Sequence, residues 1–284
     1  MIVVEEIERL RGELAGRRGH GRIAFVPTMG NLHPGHLALV QEARRHAETV
    51  VVSIFVNPMQ FGANEDLDQY PRTLEADRAA LQAEGVDLLF YPSVATMYPK
   101  PLEYQTRVEV PGVSNLYCGA SRPGHFAGVA TVVCKLFNMV LPDVAVFGKK
   151  DFQQLLVIRR MVEDLVMPIE IVGLETVREP DGLAMSSRNQ YLEAAERRAA
   201  PVLRQQLLAL AERWRQGRRD TRRLKQDFSA ALNEAGFVTD YIEIVDAASL
   251  SPVGDADDSG HVAILAAAQL GAARLIDNIE VNLD

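Results

Sequence analysis

Ile23-Ala24-Phe25-Val26-Pro27-Thr28-Met29-Gly30-Asn31-Leu32-His33-Pro34-Gly35-His36 is the stretch on which the fold turns. Its first four residues are apolar without interruption, as in a strand buried on both sides. Pro34 suits the first turn of a helix, where a missing N–H is no loss, and the helical period runs on to Glu48. A strand leading through a glycine-bearing turn into a helix is the first half of a crossover unit. The succession recurs. Strand-like runs fall at Thr49–Val56, Val86–Tyr91, Val144–Phe147 and Ile169–Leu174, and helical periods at Leu74–Glu84, Phe126–Leu141 and Asp151–Leu165. Strands alternating with helices predict an α/β fold with a parallel sheet. Runs apolar on both parities predict helices on both faces.

Beyond Asn189 the texture changes. Tyr191–Trp214 and Thr221–Ala235 read as two helices, and Asp240–Val245, His261–Ala268 and Arg274–Ile279 as three strands. The links between these strands lack helical pattern, so a short antiparallel sheet is expected. Asp255-Ala256-Asp257-Asp258-Ser259-Gly260 reads as a polar turn. The expectation is a catalytic domain over 1–175 and a smaller C-terminal α+β domain over 176–284.

The 284 residues are 48% hydrophobic and 24% charged, ordinary for a soluble globular chain. That excludes wholesale disorder, collagen and a disulfide scaffold. No apolar run approaches the ~18–20 residues of a membrane span, and the acidic, amphipathic start is not expected to be a signal peptide. Cys118 and Cys134 are too few for a disulfide framework or zinc site, so reduced thiols in a cytoplasm are expected. The net charge of −8 disfavours a nucleic-acid partner. The charge is uneven: Arg197–Lys225 holds ten Lys/Arg against two acids. That stretch reads either as a polyanion patch or as a solvated helix face with packed arginine stems.

Four turns carry groups suited to chemistry. In the first, Gly30 and Gly35 allow close backbone approach, and a helix start offers N–H groups to phosphate. His33 and His36 sit at a spacing that shares a face and suit a phosphoryl group gaining charge; zinc is the competing reading. Walker A and GxGxxG patterns are absent. The second turn, Val56-Asn57-Pro58-Met59-Gln60-Phe61-Gly62, holds the neutral amides Asn57 and Gln60, fit for hydroxyl or carboxylate recognition or for shaping the turn. The third is Phe147-Gly148-Lys149-Lys150-Asp151-Phe152-Gln153-Gln154. A lysine there suits phosphate, while tandem lysines are also common on solvated surfaces. The fourth, Ala184-Met185-Ser186-Ser187-Arg188-Asn189, suits a mobile phosphate clamp. A glycine-rich segment, Ser121 to Gly128, adds Arg122 and His125.

Taken together, PTMGNLHPGH, FVNPMQFG, SRPGHFAGV, FGKKDFQQL and DGLAMSSRNQYL, in that order, closely resemble the pantoate–β-alanine ligase family of the nucleotidyltransferase superfamily. The resemblance implies a Rossmann-like sheet and ATP-dependent condensation of pantoate with β-alanine, through a pantoyl adenylate, to pantothenate, AMP and pyrophosphate. It implies ATP contacts from Met29, Gly30, Asn31, Leu32, His33, Pro34, Gly35 and His36. Further ATP contacts are implied from Gly148, Lys149, Lys150, Asp151, Val177, Met185, Ser186, Ser187 and Arg188. His33, His36, Lys150, Ser186, Ser187 and Arg188 form the implied catalytic set, with Lys150 rather than Lys149 as the phosphate lysine. Gln60 and Gln154 would hold pantoate, with Asn57, Arg122 and His125 as secondary members. Magnesium would come with ATP, held mainly by its phosphates, with Asp77 as the protein candidate. The resemblance also implies a homodimer. The C-terminal domain is expected to act as a lid that brings Ser186 to Arg188 inward. Three competitors remain: an adenylyltransferase with a phosphorylated acceptor, a nucleotide-binding module without turnover, and a synthetase fragment acting on tRNA.

Overall fold

The computed structural model describes residues 1–62, 67–255 and 260–282. The polar turn read at Asp255–Gly260 falls largely, at 256–259, outside them. In chain order the elements are β1 (Ile2–Val4), α1 (Ile7–Ala15), β2 (Ile23–Thr28), α2 (Pro34–His46), β3 (Thr49–Ile54), α3 (Leu74–Ala83), β4 (Leu88–Phe90), α4 (Val94–Met97), α5 (Cys118–Ser121) and α6 (His125–Val140). There follow β5 (Val144–Gly148), α7 (Phe152–Asp164), β6 (Glu170–Leu174), α8 (Ala194–Ala199), α9 (Val202–Arg215), α10 (Thr221–Glu234), β7 (Val238–Asp246), β8 (His261–Leu270) and β9 (Ala273–Asn282). The chain divides into two compact units. Met1–Asn115, Arg122–Lys149 and Gln154–Glu175 form one; Leu116–Ser121, Lys150–Gln153 and Thr176–Asp284 form the other.

The first unit is built on a parallel sheet of order β1-β4-β3-β2-β5-β6. Strand parity divides its core. Ala24, Val26, Val50, Val52, Val144 and Val146 form a fully buried cluster with Val40 and Ala43 of α2 and Leu81 of α3. Phe25, between Ala24 and Val26, points to the opposite face, where its ring meets Phe137 of α6 at 6.3 Å. Burial on both faces is why these strands read as unbroken apolar runs. The order also reverses at β2: the chain leaves it toward β3 and later returns on its other side as β5. In open α/β sheets, ligands bind beyond the carboxyl ends of strands at such a switch point. The strand β1 is too short to stand out in sequence; its three residues pair only with β4 at the sheet edge.

In the second unit β7-β8-β9 form an antiparallel sheet. Val262, Ile264, Ala266 and Ala268 of β8 share a buried cluster with Leu207 and Trp214 of α9 and Phe228 and Leu232 of α10. The helix expected without interruption from Tyr191 to Trp214 is divided into a 3₁₀ turn (Ser187–Tyr191), α8 and α9. Pro201 stands between α8 and α9, where its ring and missing N–H break the ladder. The basic stretch is largely engaged within its own unit. Arg197 pairs with Asp181, Arg213 and Arg223 with Asp227, and Lys225 with Glu243. Arg219 lies 4.2 Å above the Trp214 ring, a cation–π contact. Among the described residues no helix is long and apolar enough to cross a membrane.

Candidate active site

At the switch point the chain leaves β2 through Met29–His33 and enters α2 at Pro34. The turn needs left-handed backbone at two successive residues, Gly30 (φ +82°) and Asn31 (φ +51°). A side chain at Gly30 would put its Cβ 3.0 Å from Ile54 Cγ2 and 3.1 Å from Asp77 Oδ2, so glycine is required on both counts. Asp77, only 3% exposed, reaches up from α3. Its Oδ2 accepts the Asn31 N–H at 2.9 Å, and its Oδ1 accepts the Leu32 N–H at 2.8 Å and the Thr73 hydroxyl at 3.2 Å. The carboxylate expected to ligate metal is therefore bonded to the turn itself. Three of its acceptor positions are taken up in this way, and among the described residues no cluster of three His, Cys, Asp or Glu side chains is arranged for a metal ion.

His33 and His36 are brought together, with ring centroids 4.0 Å apart. The His33 backbone N–H donates to His36 Nδ1 at 3.3 Å. A backbone N–H can only donate, so Nδ1 is the unprotonated nitrogen and the proton of neutral His36 sits on Nε2. The imidazole thus carries a donor at the start of α2, where the helix dipole favours an anion.

Asn57 caps the 3₁₀ turn Pro58–Gln60 after β3. It is 1% exposed and makes four hydrogen bonds. Its Oδ1 accepts from Met59 N–H (3.2 Å) and from the Tyr98 hydroxyl (2.7 Å); its Nδ2 donates to Gly128 O (3.2 Å) and to Gln60 Oε1 (3.0 Å). Gln60 Nε2 lies 3.2 Å from Met29 Sδ. Arg122 and His125 converge on the same residue from the start of α6. His125 Nδ1 donates to Gln60 O at 2.9 Å, which leaves its Nε2 to accept from Arg122 at 3.0 Å; Arg122 also approaches Gln60 O at 3.4 Å. Both groups therefore grip the Gln60 backbone, a supporting place rather than one at the centre. The close fit of α6 depends on Gly128, where an added Cβ would lie 2.3 Å from Met59 O. Burial pushes the Tyr98 phenol well above its ordinary pKa and lowers that of Lys135, whose ammonium lies 5.1 Å above the Tyr98 ring. The same edge of the sheet opens into a cavity of about 290 Å³, lined in part by Met29, Gly30, Val56, Thr73, Asp77 and Tyr91.

The tandem lysines part company. Lys149, in the first unit, pairs with Glu175 at 2.5 Å. Lys150, in the second, lines a narrow cleft together with Ser186, Asn189 and Arg204. Two neighbours on β9 support that cleft, and neither stands out in sequence. Asn278 Nδ2 donates to Lys150 O at 2.9 Å. Asp277 accepts both arms of Arg178, at 2.7 and 2.9 Å, a bidentate and nearly buried pair. Arg178 opens the turn that ends at the Arg178–Ala184 bridge, and Val177 O accepts the Met185 N–H at 3.0 Å. The next residues form a hydroxyl-capped 3₁₀ start: Ser186 Oγ accepts the Arg188 N–H at 3.2 Å. Gly148 ends β5, Asp151 lies in the 3₁₀ turn after it, and Gln154 is half-buried on α7. Tyr98, Asp277 and Asn278 are the supporting residues that the motifs pass over. The signal for Tyr98 is faint: a tyrosine beside a proline at the end of a four-residue helix.

A family model described as pantoate-beta-alanine ligase matches residues 2–280. The chain is 58% identical over 280 residues to the pantothenate synthetase of Shewanella baltica (strain OS195) and 57% to that of Shewanella oneidensis, covering 98% of this chain and 99% of each relative. Its fold matches a crystal structure of pantothenate synthetase from Thermus thermophilus with a TM-score of 0.92 at 50% identity, over 99% of this chain and 100% of that one. A Francisella tularensis pantoate-beta-alanine ligase, solved in complex with beta-gamma ATP and beta-alanine, matches with a TM-score of 0.82 at 33% identity, over 98% and 97% of the two chains.

Proposed function

The chain belongs to the pantoate–β-alanine ligase family, and from that premise we propose how its own residues divide the reaction. Pantoate carboxylate attacks the α-phosphorus of ATP and expels pyrophosphate, giving pantoyl adenylate. The β-alanine amine then attacks the acyl carbon and expels AMP. The first step makes and breaks P–O bonds without a proton to remove, so its demands are alignment and charge stabilisation.

The observation that carries this reading is the clamped turn at the sheet's switch point. Asp77 holds Asn31 and Leu32, and a histidine pair stands at the helix start with His36 as a donor. Met29–His36 then receive ATP, with His33 and His36 toward its phosphates. His36 acts as a hydrogen-bond donor to developing charge. Lys150, Ser186, Ser187 and Arg188 add cationic and hydroxyl contacts to phosphate; Gly148 and Asp151 meet ribose, and Val177 and Met185 the base side. Lys149 is secondary, in keeping with its pairing to Glu175. Gln60 and Gln154 hold pantoate. Asn57, Arg122 and His125 act through Gln60. Magnesium travels with ATP, held by phosphate oxygens and water, while Asp77 organises the turn.

We extend the proposal to the setting. Residues 176–284 act as a lid domain, which small-angle scattering with and without ATP would register as a change in radius of gyration. The enzyme works as a homodimer, open to sedimentation analysis. A cytoplasmic place accords with the free thiols of Cys118 and Cys134.

Exchange of labelled pyrophosphate into ATP tests the chemistry. Exchange is expected with pantoate and ATP alone, and AMP release only once β-alanine is added. No exchange with pantoate, or AMP release without the amine, would overturn the two-step reading.

A further inference from the structure

Everything around Gln60 is arranged to leave its amide one orientation. Met59 N–H can only donate and Gly128 C=O can only accept, so these two backbone groups settle which end of the Asn57 amide is oxygen. Oδ1 faces Met59 N–H and Tyr98; Nδ2 faces Gly128 O and Gln60. All four hydrogen-bonding positions of Asn57 are thereby used. Its Nδ2 in turn demands the oxygen of Gln60, which directs Gln60 Nε2 the other way. There the described residues offer Nε2 one acceptor, the Met29 thioether at 3.2 Å, and a thioether is a weak acceptor for two N–H hydrogens. The backbone of Gln60 is held separately, through its carbonyl, by His125 and Arg122.

The outermost member of this chain of bonds is Tyr98. Its hydroxyl makes the shortest of the four bonds to Asn57, at 2.7 Å. Its ring is 5% exposed, packs 6.0 Å from Phe55 and carries Lys135 on its face. The facing oxygen of Asn57 has no hydrogen, so the phenol is the donor, and it stays protonated through the neutral range. Without it, Oδ1 would keep only the Met59 N–H at 3.2 Å, and the Asn57 amide would lose its stronger tether.

We propose that Tyr98 is a positioning residue for acid recognition: acting through Asn57, it holds the Gln60 amide with its N–H face presented to the substrate. The proposal rests on Gln60 being a pantoate residue. It specifies the contact as donor to acceptor. A carboxylate or hydroxyl oxygen is accepted there, and an outward-turned Gln60 oxygen would repel a carboxylate.

The test is a double-mutant cycle on the full-length enzyme, read as separate KM values for pantoate and ATP in pyrophosphate exchange. Tyr98→Phe keeps the ring and removes the hydroxyl. It is expected to raise KM for pantoate by about tenfold, the scale of one hydrogen bond, with KM for ATP changed less than twofold. In a Gln60→Ala background the same substitution is expected to add nothing, because its route has been removed. Asn57→Asp keeps the acceptor for Tyr98 but deletes the donor shared by Gln60 and Gly128 O; it is expected to raise KM for pantoate at least as much as Tyr98→Phe, again with KM for ATP changed less than twofold, and provides the test if the phenylalanine variant does not fold. A pantoate KM within twofold of the parent for both Tyr98→Phe and Asn57→Asp would overturn the positioning role. So would equal, additive effects with and without Gln60, or equal rises in both KM values. If Gln60→Ala itself left the pantoate KM unchanged, the assignment of Gln60 would fall first, and the proposal with it.

Discussion

Replacing Asp77 by asparagine separates the two roles this carboxylate has been given. In the native turn it accepts two backbone N–H groups, at 2.9 and 2.8 Å, and one hydroxyl at 3.2 Å. Asparagine is nearly isosteric but keeps a single oxygen. If that oxygen stays with Leu32 and Thr73, the new NH₂ group faces the Asn31 N–H, donor against donor. One charge-assisted bond is lost, worth ~1.5–3 kcal/mol, and a poorly exposed donor goes unsatisfied at ~1–3 kcal/mol. These costs overlap, so we expect about 2–4 kcal/mol in all. The turn also holds Gly30 and Asn31 at positive φ, so the loss falls on the loop proposed to receive ATP. If ~2–3 kcal/mol reaches the transition state, pantoate-dependent exchange slows roughly 30- to 150-fold. The assay is run across a series of magnesium concentrations. A loop clamp predicts the same fractional loss at every concentration. A metal ligand predicts a loss that shrinks as magnesium is raised. Exchange within threefold of the parent, or recovery with magnesium, would refute the clamp.

Three further outcomes follow from the same structure. Gly128→Ala sets a methyl 2.3 Å from the Met59 carbonyl, so the turn carrying Gln60 must shift; overpacking of this kind costs ~1–3 kcal/mol. The pantoate requirement should rise several-fold more than the ATP requirement, as read from separate KM titrations. Lys150→Ala should abolish exchange while Lys149→Ala, which breaks an ion pair with a mostly exposed Glu175, largely spares it; equal losses would show the phosphate lysine misplaced. Val166 is a β-branched residue at φ +51° with 85% of its surface exposed. Val166→Gly relieves left-handed strain of ~1–2 kcal/mol against an entropic cost of ~0.5–1 kcal/mol. The net gain of up to about 1.5 kcal/mol should raise Tm in calorimetry by up to about 3 °C, with exchange activity unchanged; a lower Tm would refute the strain at this position.

Much of the candidate site is legible without coordinates because its residues come in short, contiguous runs. A ligand-binding turn between strand and helix needs glycine for backbone freedom, donors at the helix start and apolar flanks, and these requirements fall within about ten residues of one another. The unbroken apolar runs of β2, β3 and β5 likewise declare a sheet covered on both faces. Where structure departs from that first reading, the local signal is poor. The edge strand β1 has three residues. Pro201 divides what otherwise keeps a helical period. The sequence reading singles out Asp77 only as a metal candidate; its bonds to the backbone of Asn31 and Leu32 leave no local signal.

The supporting residues are a different matter. Asp77 meets Asn31 across 46 residues, Tyr98 meets Asn57 across 41, Arg178 meets Asp277 across 99 and Asn278 meets Lys150 across 128. None of these bonds has a period or a neighbouring partner to betray it, since each is made by elements that come together only when sheet and helices pack. Sequence alone therefore determined which chemical groups this protein carries, the strand-to-helix turns that bear them, and the kind of sheet from which they project. Tertiary structure decided which of those groups are held by others: that Asp77 grips a backbone turn, that Arg122 and His125 meet the Gln60 carbonyl, and that Tyr98 donates to the Asn57 amide. The physical reason is that composition and spacing report a residue's chemistry. The direction of a hydrogen bond depends on where the partner's lone pair or proton lies in space.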